Sequence, residues 1–208
     1  MYFVLPLKTS RDIYIANTIL IPSLLYFYKD TFKLIIIISQ SEESIYNKTR
    51  YSDNNIIKLI YEENVYKYTG TNTYYYQMLL KILIAKYIDN DYYIVLDADN
   101  ILCKPCNENN FVNDNYCYYN QINTVDEWAH RVEKVLNIKF DFICNQTPFI
   151  FKTSIVKNMI NDIDVVDCIL NNHCSEYTLY LGYMIKNNIL DNNYINMIRL
   201  IILIYNCN

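Results

Sequence analysis

Glycine is almost missing from this chain, with only Gly70 and Gly182 in 208 residues. No Gly-rich loop can be drawn. A GxGxxG dinucleotide fingerprint and a Walker A loop are both absent, which excludes ordinary Rossmann dehydrogenases and P-loop kinases. Basic blocks are missing as well. With 18 basic against 22 acidic residues the formal net charge is −4, and no positive face marks a nucleic-acid binder. Long apolar runs are also lacking. Ile35 to Ile38 falls far short of a bilayer span, and the apolar tail from Tyr194 to Tyr205 is short and broken by Arg199. Neither reads as a membrane span. The opening residues carry no basic leader and too short an apolar stretch for a secretory signal. The seven cysteines are an odd number, which fits a reduced, cytoplasmic interior better than a disulfide framework. In that setting the sequons at Asn47 and Asn145 carry no glycan.

What is present is apolar and globular, with 52% hydrophobic residues. The length suits one domain over residues 1–208. The skew toward Ile, Asn and Tyr follows AT-rich codons, so the 23 tyrosines are not by themselves a stacking surface. Tyr2 to Leu7, Lys33 to Ser39, Ile56 to Tyr61 and Tyr92 to Leu96 read as strands. Between them, Arg11 to Tyr28 reads as a helix broken or bent near Pro22, Ser41 to Asn47 as a short helix, and Thr73 to Ile88 as a longer one. This alternation predicts a mostly parallel α/β sheet with helices on both faces. Beyond Asp99, Phe111 to Tyr119 reads as an edge strand and Phe142 to Phe151 as extended. Helices are expected over Thr124 to Leu136, Ser154 to Ile160 and Ser175 to Lys186.

The chemistry concentrates at Tyr92-Tyr-Ile-Val-Leu-Asp97-Ala-Asp99-Asn100, a buried strand that ends in two carboxylates. In open α/β sheets ligands bind beyond the carboxyl ends of the strands. Two carboxylates there can approach one hard cation, Mn²⁺ or Mg²⁺, which would neutralise a leaving diphosphate. The bare pattern is common: Asp89/Asp91 and Asp162/Asp164 repeat it, and only the middle pair follows an apolar strand.

Thr73-Tyr-Tyr-Tyr-Gln77-Met-Leu-Leu-Lys81-Ile, followed by Tyr92 to Asn100 and Lys104-Pro105, resembles a family of small GT-A glycosyltransferases. Its members occur in bacterial surface-polysaccharide loci and in large DNA viruses. Phe3 to Lys8 with Asp12, Thr147-Pro-Phe and Ser175-Glu176-Tyr177-x-Leu-Tyr180 extend the likeness from Phe3 to Tyr180. Tyr74 stands where the family has Trp, and Met78 where it has a second Gln. The resemblance implies a GT-A fold and transfer of a sugar from a UDP- or GDP-sugar to a glycan or other hydroxyl acceptor. Asp97 and Asp99 would then bind the metal, and Asp97 the donor as well. Gln77 and Lys81, four apart on one helical face, would meet the donor sugar and the diphosphate. Arg11 and Asp12 follow the first strand, where such proteins hold the nucleotide. Glu176 is the candidate catalytic base, with Asp126 and Glu127 as weaker rivals. A viral member would work in the host cytoplasm.

Other readings compete. Asp97-Ala-Asp99-Asn-Ile101 approaches the haloacid-dehalogenase phosphatase pattern, with Asp97 as nucleophile, although three strands precede it here. A nucleotide-sugar- or glycan-binding protein without turnover is the non-enzyme alternative. Cys103-Lys-Pro-Cys106 lacks the second pair that a zinc site needs, and His130 and His173 have no recognisable partner.

Overall fold

The computed structural model describes residues 1–47, 49–113 and 116–196, and the backbone of Ile204–Asn206. Its first half follows the expected alternation. Strand β1 (Tyr2–Leu7) leads to α1 (Ser10–Ile15), α2 (Ile21–Phe27), β2 (Lys33–Ile38), α3 (Glu43–Tyr46) and β3 (Ile57–Tyr61). Then come α4 (Glu62–Val65), α5 (Thr73–Leu83), β4 (Tyr92–Val95) and β5 (Asn100–Leu102). The second half holds β6 (Val112–Asn113), β7 (Tyr116–Tyr119), α6 (Glu127–Leu136), β8 (Phe149–Lys152), α7 (Thr153–Asp162), α8 (Glu176–Lys186), β9 (Tyr194–Asn196) and β10 (Ile204–Asn206).

The main sheet runs β3-β2-β1-β4-β8, parallel except for β8 against β4. Residues 3–7 and 34–38 are buried without alternation, as expected when helices cover both faces of a sheet. Helices α1 and α5 pack on β1, α7 packs on β8, and α8 touches α5, α6 and α7. Parallel register places the carboxyl ends of β1 and β4 side by side, with Val4 opposite Val95. Each of those ends feeds a candidate site segment: Asp12 beyond β1, and Asp97 and Asp99 beyond β4.

Three expectations shift. The helix over Arg11 to Tyr28 is not simply bent at Pro22. A wide turn at Ala16–Leu20 precedes it, where the Ile21 N–H reaches back to the Ala16 carbonyl. Proline has no N–H and its ring crowds the carbonyl four residues back, so one inserted residue relieves the ladder just before Pro22. Phe111 to Tyr119 is not one edge strand but two short strands outside the main sheet. It forms β6 and β7, which join β9 in a separate sheet. Phe142 to Phe151 is regular only from Phe149, with a single bridge between Ile122 and Ile143 before it. Most of the apolar tail, residues 197–203, lies outside the described residues. Among the described residues no helix is long and apolar enough to cross a membrane.

Gly182 allows α8 to lie close to α6. A Cβ there would stand 2.8 Å from Val132 Cγ1 and 3.1 Å from both Leu136 Cδ1 and Ile138 Cδ1. Val132 is β-branched and buried, so it has little freedom to yield. Gly182→Val is expected to destabilise the fold by about 1–3 kcal/mol through overpacking, read as a lower urea midpoint.

Glu133 ties the end of α6 to the chain that follows. It accepts the Phe140 N–H at 3.0 Å, His130 Nδ1 at 3.0 Å and Lys139 Nζ at 3.2 Å. These contacts, the Phe140 amide first, hold its carboxyl at about 2 against an ordinary 4.5. A depressed folded pKa gives stability that is present above the ordinary value and lost as pH falls toward the folded one. Glu133→Gln should therefore flatten the acid limb of a stability–pH curve between about 4.5 and about 2.

Candidate active site

The turn after β4 is locked from three sides. Asn100 Oδ1 accepts the Asp97 N–H at 2.9 Å, and the Asn100 N–H returns to the Asp97 carbonyl at 3.0 Å. Thr147 Oγ1 donates to Asp97 Oδ2 at 3.0 Å and accepts from Asn100 Nδ2 at 3.3 Å. Asn100 is fully buried, so this turn is fixed by the core, and Asp97 and Asp99 are left at the cleft. Both line a cleft of ≈ 410 Å³.

Lys81 enters the cleft from α5. It is only 5% exposed. Its ammonium meets Asp97 Oδ1 at 3.0 Å, Glu176 Oε1 at 2.9 Å and the Tyr177 hydroxyl at 2.9 Å. The ammonium donates hydrogen bonds to Asp97 and Tyr177 and is ion-paired with Glu176, so its near neighbours are all protein. Burial alone would pull the Lys81 pKa down. Glu176, Tyr177 and Asp97 outweigh it and raise the pKa well above its ordinary value. Glu176 opens α8 and is 2% exposed, whereas the Asp97 side chain is 40% exposed. The result is a carboxylate–ammonium–carboxylate chain with one surplus negative charge, open to solvent at Asp97.

Asp99 crowds that charge. Burial raises its pKa first, then the neighbouring Asp97 and Asp12 carboxylates. Asp12 lines the cleft and also caps α1, its Oδ2 accepting the Lys8 N–H at 3.1 Å and the Thr9 N–H at 3.0 Å. Gln77 lines the cleft one turn before Lys81 and donates from Nε2 to the Pro6 carbonyl at 3.2 Å.

Six of the seven residues singled out in the sequence thus share one cavity: Asp12, Gln77, Lys81, Asp97, Asp99 and Glu176. Arg11 does not join them. It is exposed on α1 outside the cleft lining, because the helix turn that brings Asp12 inward carries its neighbour away. The rival carboxylates are engaged elsewhere. Asp126 caps α6 at the Ala129 N–H, 3.0 Å away, and accepts Asn145 Nδ2 at 3.1 Å, while Glu127 pairs with Arg131. Cys103 is exposed and Cys106 buried, and both are free thiols. Burial pushes the Cys106 thiol up to about 11. Sequence reasoning gave no site role to Trp128, Asn145, Ser175 or Tyr177, which also line the cleft, although Ser175 and Tyr177 flank Glu176 in the family match. The Thr147-Pro-Phe match pointed toward one of these walls, and the single Trp was the other available signal.

The fold is GT-A-like, a mostly parallel central sheet flanked by helices. Its solved neighbours share it at low sequence identity. The galactosyltransferase LgtC in complex with donor and acceptor sugar analogs matches with a TM-score of 0.61 at 12% identity, over 94% of this chain and 73% of LgtC. Mouse xyloside xylosyltransferase 1 matches with a TM-score of 0.55 at 9% identity, over 94% and 84% respectively. The bifunctional glycosyltransferase WbbM matches with a TM-score of 0.55 at 12% identity, over 95% of this chain and 38% of WbbM. The chain belongs to DUF6492, a family of unknown function whose model spans residues 1–201. No curated protein matches it.

Proposed function

We propose that this chain is a single-domain, metal-dependent glycosyltransferase. It moves a sugar from a UDP- or GDP-sugar to a hydroxyl acceptor. The observation that carries this reading is the pairing of Asp97 and Asp99 at the end of a central strand, inside a cleft that also holds Asp12, Gln77, Lys81 and Glu176.

The residues suit a hard divalent cation in a particular way. Among the described residues no three His, Cys, Asp or Glu side chains form a ready cage. Mg²⁺ and Mn²⁺ need no such cage, since one or two carboxylates suffice when waters and substrate phosphates complete the shell. Burial first, and then the neighbouring Asp97 and Asp12 carboxylates, disfavour the charged form of Asp99, and a bound cation would offset both. Asp97 keeps lone pairs free beside its two hydrogen bonds. When bound, the ion would neutralise the charge on the departing nucleoside diphosphate.

The chain's own groups do the rest. Lys81 holds Asp97 and compensates the buried charge of Glu176, so it acts through these carboxylates as a positioning residue. The Gln77 carbonyl oxygen faces the donor sugar, its amide being fixed on Pro6. Glu176 takes the proton of the attacking hydroxyl or faces the positive charge growing at the anomeric carbon.

A thermal-shift panel of UDP- and GDP-sugars, run with and without Mn²⁺, tests the reading. One donor should raise the melting temperature, and only with metal. A panel in which no donor stabilises the protein under either condition would remove it.

A further inference from the structure

The rim of the cleft carries rings that are exposed yet firmly held. Tyr74, at the start of α5, is 56% exposed, and half-buried Trp128 faces it from the start of α6 with ring centroids 6.1 Å apart. Both line the cleft. Behind them Tyr75 sits 5.9 Å from Trp128 and stacks on His173 at 4.5 Å, tilted by 8°. Arg131 fastens the group. Its guanidinium lies 5.0 Å from the Trp128 ring and donates to the Tyr75 hydroxyl at 3.3 Å and the His173 carbonyl at 3.2 Å. Three separate segments therefore converge on one aromatic ledge. An exposed apolar patch kept in place beside a polar cavity marks a binding surface.

The lining of the cleft is mixed in chemistry. Asp12 and Asp99 bring carboxylates from beyond the ends of β1 and β4. Tyr74 and Trp128 bring rings from the first turns of α5 and α6. Apolar ring faces next to Glu176, Ser175 and Asn145 suit a ligand with a flat C–H face and a rim of hydroxyls. A pyranose ring has that shape.

We propose that Tyr74 and Trp128 form the acceptor platform, so that the acceptor is a glycan whose terminal pyranose stacks on the ledge and presents a hydroxyl toward Glu176. This rests on the glycosyltransferase reading above. It narrows the acceptor from any hydroxyl compound to a sugar, and it makes two aromatic residues the determinants of acceptor affinity.

Trp128 is the only tryptophan, so intrinsic indole fluorescence reports on the ledge alone. The full chain is titrated with methyl β-galactoside, methyl α-glucoside, methyl α-mannoside and N-acetylglucosamine, with glycerol as a hydroxyl control. At least one pyranoside should change the emission saturably, and glycerol should not. Tyr74→Ala should raise that dissociation constant about tenfold or more, the size of effect found when an aromatic anchor is removed. Tyr14→Ala, an exposed tyrosine outside the cleft, should leave it unchanged. The thermal shift by the nucleotide sugar should survive Tyr74→Ala.

Emission that no pyranoside alters, or a response undiminished by Tyr74→Ala, overturns the platform. Loss of the donor shift in Tyr74→Ala would assign the ledge to the donor, which overturns the acceptor proposal and leaves the transferase reading standing. Pyranoside binding in a protein that no nucleotide sugar stabilises would keep the ledge and sink the transferase.

Discussion

Asp97→Asn is expected to cut metal-dependent transfer by about 10²-fold to 10³-fold or more, the range seen when one preorganised electrostatic contact to developing charge is lost. The amide keeps an oxygen for Lys81 and the size of the side chain, but loses the negative charge that a cation requires. The fold should hardly notice. The Asp97 side chain is 40% exposed, Lys81 retains Glu176 and Tyr177, and an ion pair that open to water contributes about 1 kcal/mol or less. Asp99→Asn should behave alike. Asp91→Asn, in an exposed Asp-x-Asp pair outside the cleft, should leave transfer unchanged. The check is initial rate of nucleoside-diphosphate release across a Mn²⁺ titration, with a melting curve for each variant. Full turnover in Asp97→Asn would end the assignment.

That contrast between two Asp-x-Asp patterns bears on what was legible in the sequence. The continuous apolar run of Tyr92 to Leu96 announced a central strand, and a central strand fixes where its terminal carboxylates lie. The four-residue spacing of Gln77 and Lys81 likewise placed both on the cleft side of α5, because helical geometry is local. Contacts between distant segments were not legible. Nothing near Lys81 announces that its ammonium meets Glu176 from a helix 95 positions later, since the triad is made by α5 packing on α8. The small sheet escaped for the same reason: Cys117 pairs with Tyr194 across the whole second half of the chain. Arg11 lies outside the cleft lining. Its neighbour Asp12 reaches the cleft, but adjacent residues on a helix point about 100° apart, so adjacency in sequence was a poor guide. Trp128 was visible as a lone residue, yet its role depends on Tyr74 and Arg131, which only the folded chain brings beside it.

The same long-range triad leads to the largest expected effect on stability. Lys81→Met removes the one cation between Asp97 and Glu176. Asp97 can turn to water, but Glu176, 2% exposed, cannot. Stranding one partner of a buried ion pair costs about 3–5 kcal/mol. At about 2–4 °C per kcal/mol for a chain of this size, the melting temperature should fall by roughly 6–20 °C. Glu176→Gln should cost less, because the amide oxygen still accepts from Lys81 and the ammonium keeps Asp97. Combining Lys81→Met with Glu176→Gln leaves a neutral amide beside an apolar stem, so the double variant should melt above Lys81→Met alone. The coupling energy from that four-protein cycle should fall in the range of about 0.5–3 kcal/mol expected for contacting groups. Additive single effects would mean that the two side chains do not share a buried charge. Lys81 would then be free to meet the donor directly, and the positioning role given to it here would be withdrawn.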